Sequence, residues 1–488
     1  MIRFQFDNSY ARLPEGFFSK AEPAGVETPQ LLLFNEALAD HLGIERDGTT
    51  EEELAQVFSG QRLPEGSQPL AQAYAGHQFG HFAPQLGDGR AILLGEVVNA
   101  QGQRFDVQLK GAGRTLFSRS GDGLAPIGPV LREYVVSEAM HALGVPTTRA
   151  LAAVATGATV RREEPLPGAI LTRVAASHLR VGTVEFFAAR DNREALKTLV
   201  QYTLDRHYPD YPPDPSPAMA LLNAVCEQQA KLVAKWMALG FIHGVMNTDN
   251  MALSGETIDY GPCAFMDQYD PRTRFSAIDH GGRYAYGNQP IIAQWNLARL
   301  AEALLPAETT PDAKVAPARA IVEQFMPRYE SLWLAGFNAK IGLTEVVEGD
   351  RERLERLHTL MQAGTADFTQ TFRGLARWLR TDKLAALPEG LRQQAELPSW
   401  LADWQQRLTQ QGRASTAVAQ TMDTLNPYVI PRNHKVEAAL TAAQQGDMAP
   451  FEKLLAAVRR PYEEGPGLTE FSEPAPPAER VYQTFCGT

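Results

Sequence analysis

Cysteine is scarce in this chain: Cys226, Cys263 and Cys486 are the only three among 488 residues. So few and scattered thiols exclude a disulfide scaffold and a structural zinc site, and point to a reducing compartment. Long apolar runs are missing as well, since none approaches the ~20 residues of a membrane span. The opening MIRFQFDNSYARLPEG has neither the apolar core of a signal peptide nor the Arg/Ser-rich character of a transit peptide. A cytoplasmic protein without a membrane partner is expected. Nor is there an excess of positive charge, because 46 Lys and Arg face 57 Asp and Glu. The net charge of −11 argues against a nucleic-acid partner. What is there suits a large soluble protein, with 44% hydrophobic residues, no internal repeat and enough length for two or more lobes.

Chemistry concentrates between Phe241 and Pro262, FIHGVMNTDNMALSGETIDYGP. His243-Gly244 opens a loop, and Asn250 follows seven residues after that His. Met251-Ala252-Leu253 reads as a strand, Ser254-Gly255-Glu256 as its turn and Thr257-Ile258-Asp259-Tyr260 as the returning strand. Such a hairpin places Asn250 and Asp259 at one open end, and two hard oxygen ligands there suit a phosphate-bound Mg²⁺. The outline matches kinase-like enzymes, where a catalytic-loop Asn and the Asp of a DFG-type motif hold the metal. Two residues after the His, where such a kinase carries its catalytic Asp, this chain has Val245. The nearest carboxylate is Asp249, so a nucleotide and metal site is expected that is not a standard kinase site. The plain alternative is an Asx-capped turn before an ordinary hairpin.

Upstream, Thr28 to Leu42, closed by Gly43, reads as a helix with Asn35, Glu36 and Asp40 on its solvated face. From Tyr74 to Arg90 the chain runs YAGHQFGHFAPQLGDGR. His77 and His81 have metal spacing only on a helix, which Gly76, Gly80 and Pro84 oppose. In Gly87-Asp88-Gly89-Arg90, glycines let backbone amides approach a phosphate and Arg90 adds charge, although GDG is equally a hairpin turn. A strand over Ala91 to Val98 follows. Phe105 to Lys110 then alternates, with Phe105, Val107 and Leu109 on one face and Asp106, Gln108 and Lys110 on the other.

Lys110, just before Gly111-Ala112-Gly113-Arg114, is placed like the strand lysine that kinases aim at phosphates, or is a solvated strand lysine. A helix over Pro129 to Met140, stopped by Gly144 and Pro146, offers Glu133 as its partner, with Glu138 competing. The loop Ser118 to Gly123, with Asp122 and Gly123, either wraps a nucleotide or is a surface turn. Arg173 ends a strand from Ala169, and Arg180 opens the next element; both are planar cations suited to phosphate.

Downstream, HYPDYPPDPSP from His207 is a proline-rich connector. Leu221 to Leu239, stopped by Gly240, reads as a long buried helix with Cys226 as a core residue. Helices are expected over Trp295 to Leu305, Ala316 to Ile341, Glu352 to Met361 and His434 to Val458. The Pro/Glu-rich EEGPGLTEFSEPAPPAER that follows should be extended and mobile, before the terminal VYQTFCGT.

Taken together, GHQFGHFAPQLGDGR, FDVQLKGAGRT, LREYVVSEAMHALGVPTTRAL, HGVMNTDNM, IDYGPCAFMD and NPYVIPRNHKVEAAL resemble the selenoprotein O (SelO) family from about residue 70 to the C-terminus. The resemblance implies an α+β, bilobal, protein-kinase-like fold. An N-terminal region and mixed N-lobe would span 1–185, a mostly helical C-lobe with catalytic loop and metal hairpin 186–345, and a helical extension with a Cys-containing tail 346–488. It implies transfer of AMP from ATP, bound in inverted orientation, to Ser, Thr or Tyr hydroxyls of proteins, with release of pyrophosphate. Mg²⁺ or Mn²⁺ would assist, and UTP is an alternative donor. Carried onto this chain, Lys110 is the phosphate-binding lysine held by Glu133, Asn250 and Asp259 hold the metal, and Asp249 is the general base. Gly87, Gly89, Arg90, Asp122, Gly123, Arg173 and Arg180 contact the nucleotide. Cys486 stands near the position of the family's C-terminal selenocysteine, which implies redox control through a disulfide with Cys263. The rival readings are a phosphotransferase that moves the γ-phosphate and a nucleotide-loaded scaffold without chemistry.

Overall fold

The computed structural model describes residues 2–212 and 216–485. Its first part is built on short strands: β1 Phe18–Lys20, β2 Gln30–Phe34, β3 Leu70–Gln72, β4 Gly76–Gln78, β5 His81–Ala83, β6 Ala91–Val98, β7 Arg104–Lys110, β8 Ala125–Pro126, β9 Arg149–Arg161 and β10 Pro165–Ala175. Eight of them form one antiparallel sheet in the order β1-β3-β6-β7-β10-β9-β2, with β8 pairing β10, while β4 and β5 make a separate hairpin. The apolar residues of β7 face one way because side chains alternate along a strand. Val107 and Leu109 join Ile92, Leu94, Val154 and Ile170 under two helices, α1 Glu36–Leu42 and α2 Glu51–Phe58. Across the sheet, Leu93 and Leu171 pack with Leu131 and Val135 of α3 Ile127–Ala142. Each such side chain removed from water contributes roughly 1.5–3 kcal/mol.

The polar side of β7 is also covered. Asp106 and Gln108 are fully buried, because Arg206 and His178 meet the first and Arg173 and Asp88 the second. The sheet therefore carries an internal layer of charge in addition to its apolar one.

The second part is helical. After α4 Val181–Ala188 and α5 Arg193–His207 comes α6 Pro217–Leu239, apolar nearly all round and so buried at the centre. The Ser216 hydroxyl caps its first turn at Met219 N, and Gly240 ends it in the left-handed conformation at φ 71°. Around it pack α7 Gln289–Leu304, α8 Pro311–Glu323 and α9 Phe325–Lys340. The chain continues through α10 Asp350–Ala363, α11 Phe368–Thr381, α12 Glu389–Arg392, α13 Leu397–Thr409, α14 Ser415–Leu425, α15 Asn433–Gln444, α16 Ala449–Val458 and α17 Thr469–Ser472. Two short strands, β11 Phe241–Ile242 and β12 Ala264–Phe265, bracket the central stretch. Among the described residues no helix is long and apolar enough to cross a membrane.

Several local expectations need correction. The helix read over 28–42 is a strand, β2, followed by α1, because the continuous run Gln30–Phe34 completes the sheet edge on β9. Asn35 is not solvated: it is buried, caps Leu38 N at 3.3 Å and donates to Glu138 at 2.8 Å. The hairpin read over 251–260 does not form. Its two arms pair elsewhere, Ala252 with Arg180 and Thr257 with Thr147. Side chains of α6 hold them apart, Gln229 donating to Ala252 O at 2.8 Å and Trp236 to Thr257 Oγ1 at 2.9 Å. The helices expected over 316–341 and 434–458 are each two, broken at Gln324 and at Gly446, which adopts φ 91°. The Pro/Glu-rich segment is not extended and mobile, since Leu468, Phe471 and Ser472 are buried and Ser472 O accepts from Arg432 at 2.9 Å. Of the proline-rich connector, residues 213–215 lie outside the described residues, as does Cys486.

Candidate active site

β7 ends at Lys110 beside the middle of α3, and the two elements cross closely enough for an ion pair. Lys110 Nζ donates to Glu133 at 2.5 Å and to Asp259 at 2.6 Å. The open choice for the lysine's partner is thus decided in favour of Glu133. Glu138 turns to the opposite end of α3, where it accepts from Arg149 at 2.7 Å and from Asn35. Glu133 also accepts from Arg173 at 3.1 Å, so two cations converge on one buried carboxylate. Burial raises the Glu133 and Asp259 carboxyls, but Lys110 and Arg173 outweigh it and hold both below the usual range.

Arg90, Lys110, Glu133 and Asp259 line the inner end of a cleft of about 780 Å³. Val130, Leu166, Leu440 and Val481 give the rest of its lining apolar surface, and Arg162, Glu163 and Glu164 stand on its rim. The C-terminal segment closes that side: Thr484 N donates to Phe275 O at 2.7 Å and its hydroxyl to Pro262 O at 2.6 Å. Arg162 on the rim binds Asp122 at 2.7 Å, which orders the loop before β8.

Glycine at 87, 89 and 123 has a packing reason. Gly87 (φ 76°) and Gly123 (φ 75°) adopt the left-handed region, and a Cβ at either would overlap Phe117 or the Gly113 carbonyl. A Cβ on Gly89 would stand 2.9 Å from Phe117 O. These glycines let the 87–90 and 111–123 loops lie flat on each other beside Lys110.

Asp249 lies in a single 3₁₀ turn, Thr248–Asn250, beyond β11. The β4–β5 hairpin covers this turn. His77 N donates to Thr248 Oγ1 at 2.6 Å, Phe79 N to Asn247 Oδ1 at 3.0 Å and Gln78 Nε2 to Asp249 Oδ2 at 3.2 Å. Asp249 Oδ1 is buried without a hydrogen-bond partner among the described residues. Burial pushes this carboxyl up to about 6, against the pull of Gln78 and Arg180. Arg180 is buried over the Tyr74 ring, 4.2 Å from its centroid, and 3.6 Å from Asp88.

Sequence reasoning missed the residues that hold these groups: Gln78, Asp88, Gln108, His178 and Glu185. In GHQFGHF, His77 is not a metal ligand with His81: its Nδ1 meets Glu185 at 2.5 Å, and Glu185 also binds Thr248 at 2.5 Å. Cys263 is a buried free thiol, pushed up to about 12 by burial.

Asn250 Nδ2 donates to Val245 O at 3.1 Å, which leaves its amide oxygen free of protein donors among the described residues. That amide oxygen and the Asp259 carboxylate are each hard donors of the type that suits Mg²⁺ or Mn²⁺ completed by phosphate and water, although the hairpin expected to set them side by side does not form. No group of three or more His, Cys, Asp or Glu side chains converges among the described residues, so a closed all-protein cage is not the pattern.

A strand lysine clamped between two carboxylates, with a third carboxylate at Asp249 whose Oδ1 is unpartnered among the described residues, is the charge pattern of this class of site. The chain's relatives narrow this class. The pattern of the family described as "Protein adenylyltransferase SelO" matches residues 1–459, and the chain belongs to that family of nucleotidyltransferases. It is 55% identical over 489 residues to "Protein nucleotidyltransferase YdiU" of Rhizobium leguminosarum bv. trifolii, covering 99% of this chain and 97% of that one. Proteins of the same name from Rhizobium meliloti and Sphingopyxis alaskensis are 54% and 53% identical, each over 100% of both chains.

Proposed function

We propose that the protein transfers AMP from ATP to Ser, Thr or Tyr hydroxyls of other proteins, with the triphosphate bound tail-inward on a kinase-like scaffold. The observation that carries the orientation is the polarity of the cleft. Arg90 and Lys110 stand together at its inner end, whereas Val130, Leu166, Leu440 and Val481 offer apolar surface of a size for a purine farther out. The outermost phosphate then meets Lys110 and Arg90, with the buried Arg173 and Arg180 adding positive charge behind them, and the α-phosphorus faces outward. The kinase-like reading rests on the β7 lysine paired with the α3 glutamate, and on the long α6 leading into the catalytic loop. It divides the chain into the units 1–185, 186–345 and 346–488.

In this pose Asn250 and Asp259 would hold the metal, which would polarise the phosphate under attack. Glu133 fixes the Lys110 ammonium, and Gly87, Gly89, Asp122 and Gly123 shape the loops along the nucleotide. The acceptor hydroxyl loses its proton to Asp249, its oxygen bonds to the α-phosphorus, and the bond to the β-phosphate oxygen breaks, releasing pyrophosphate. Val245 leaves no carboxylate at the usual kinase position, and burial keeps Asp249 a competent base near neutrality. ATP labelled at the α- or the γ-phosphate tests the reading. Label reaching protein from the α position supports it; label arriving only from γ makes the protein a phosphotransferase, and none from either makes it a scaffold. Running the assay with UTP, and with the tail thiol oxidised, tests donor choice and redox control.

A further inference from the structure

The hairpin that covers Asp249 continues into a partly exposed face that carries two cations outside any ion pair among the described residues. Its tip, Phe79-Gly80, lies against Arg283; a Cβ on Gly80 would stand 3.7 Å from Arg283 Nη2. Arg283 and Arg299 flank Trp295 of α7, their guanidinium carbons 4.9 and 5.0 Å from its ring centre, and His77 meets the same ring edge-on at 5.4 Å. Ile291, Trp295 and Arg299 recur every four residues and so share one side of α7. Ile291 is 59% exposed, and Phe82, 4.9 Å from the His77 ring, is 42% exposed.

The carboxylates nearby are occupied. Asp279 accepts from the amides of Arg283 and Tyr284 at 2.9 and 2.8 Å, Glu302 pairs with Arg299 at 2.7 Å, and Glu185 binds His77 and Thr248. Among the described residues no acid pairs with Arg283; its Nε and Nη2 are buried without hydrogen-bond partners, which leaves Nη1 as the nitrogen open to an incoming group. Arg274, also exposed, adds a cation beside Gly282. In a chain of net charge −11, Arg283 and Arg274 are thus cations outside any ion pair among the described residues, on a partly apolar face one hairpin away from the proposed base.

The geometry points to this face as the docking surface of the acceptor protein, with Arg283 selecting an acidic side chain close to the hydroxyl to be modified. The guanidinium is already stacked and oriented on Trp295, so little freedom is lost when a carboxylate arrives, and Phe82 and Ile291 offer apolar contact around it. The partner is a protein segment with Asp or Glu flanking the reacting Ser, Thr or Tyr. The inference rests on the adenylyltransferase reading for the identity of that partner.

The test uses the full chain and three fluorescent peptides, alike except that Glu, Ala or Lys flanks a single Tyr. Fluorescence polarisation should show the Glu peptide bound about 10-fold tighter than the Ala peptide, as a charge-assisted hydrogen bond provides. Arg283→Gln, which keeps a planar group against Trp295, should bring that ratio to about one, and Arg283→Glu should favour the Lys peptide instead. ATP binding by each variant reports that it is folded. Equal binding of the Glu and Ala peptides by the native chain, or a preference that survives in both variants, overturns the proposal. Because the readout is a binding ratio, it stands apart from the labelled-ATP experiment, whose failure removes the AMP-transfer reading alone.

Discussion

Arg173 Nε donates to His178 Nε2 at 3.2 Å, which fixes His178 as the neutral ring with its proton on Nδ1, facing Asp106 Oδ2 at 2.9 Å. Burial lowers the imidazole below its ordinary value, so the acceptor lone pair persists at neutral pH. Arg206 anchors the far end of the row at Asp106, 2.5 Å away. The row aims Arg173 at Glu133 and so steadies Lys110. His178→Phe strands the Arg173 Nε–H and should weaken ATP binding about 10-fold, the effect of one buried hydrogen bond to a charged group. His178→Gln, which can accept from Arg173 and donate to Asp106, should recover much of it. The histidine's pKa is depressed on folding, so this stabilisation is present above the ordinary histidine range and lost as pH falls beneath it. ATP titration of both variants across pH checks this.

Gly76 allows the hairpin to lie on the catalytic turn. A Cβ there would stand 2.6 Å from Asp249 Oδ1 and 2.9 Å from its Cβ, closer than carbon and oxygen tolerate. Gly76→Ala must move either the hairpin or Asp249. Transfer of AMP should drop at least 10-fold while ATP affinity stays the same, because Lys110 and Arg173 are untouched. Isothermal titration with ATP beside a transfer assay separates the two effects.

The part of the site legible in sequence is the part written in local pattern. The alternation of Phe105 to Lys110 fixed a strand with a lysine at its end, and the periodicity from Pro129 to Met140 fixed a helix of suitable spacing. Whether Glu133 or Glu138 turned to Lys110 was not readable, because the rotation of α3 is set by contacts far away, such as Arg132 with Asn433 and Glu437 at 2.9 and 2.7 Å. The central hairpin misled for a similar reason. Its turn residues are sound, and Gly255 does turn at φ 79°, but Gln229 and Trp236 on α6 claim the arms. Asp106 and Gln108 looked like a wet strand face, and only the arrival of Arg206, Arg173 and His178 from later elements makes them a buried layer.

Glu256 gives the fold a pH dependence of its own. Burial pushes its carboxyl up to about 7 from an ordinary 4.5, against the bonds it accepts from Ala176 N at 2.9 Å and Ser254 Oγ at 3.2 Å. A raised acid favours the folded state while protonated, so its contribution is full below about 4.5 and is lost as pH rises through about 7. Glu256→Gln removes that loss and should stabilise the chain by on the order of 2 kcal/mol at pH 8 and by almost nothing at pH 4. Urea unfolding at the two pH values reads the difference.

Arg432 is fully buried and joins three parts of the chain: Nη1 reaches Asp267 at 2.5 Å, just past β12, and Asp367 at 2.7 Å, the cap of α11, while Nη2 reaches Ser472 O at 2.9 Å. Burial raises the Asp367 carboxyl despite that guanidinium, so its charged form depends on Arg432. Arg432→Met leaves an unpaired buried charge and should cost about 3–5 kcal/mol. The loss should shrink as pH is lowered, because Asp367 can then take up a proton. Adding Asp367→Asn should restore part of the stability, since the amide can still cap Gln370 N without bearing charge. A double-mutant cycle by urea unfolding tests this; equal losses with and without Asp367→Asn would mean that packing, not the buried charge, sets the cost.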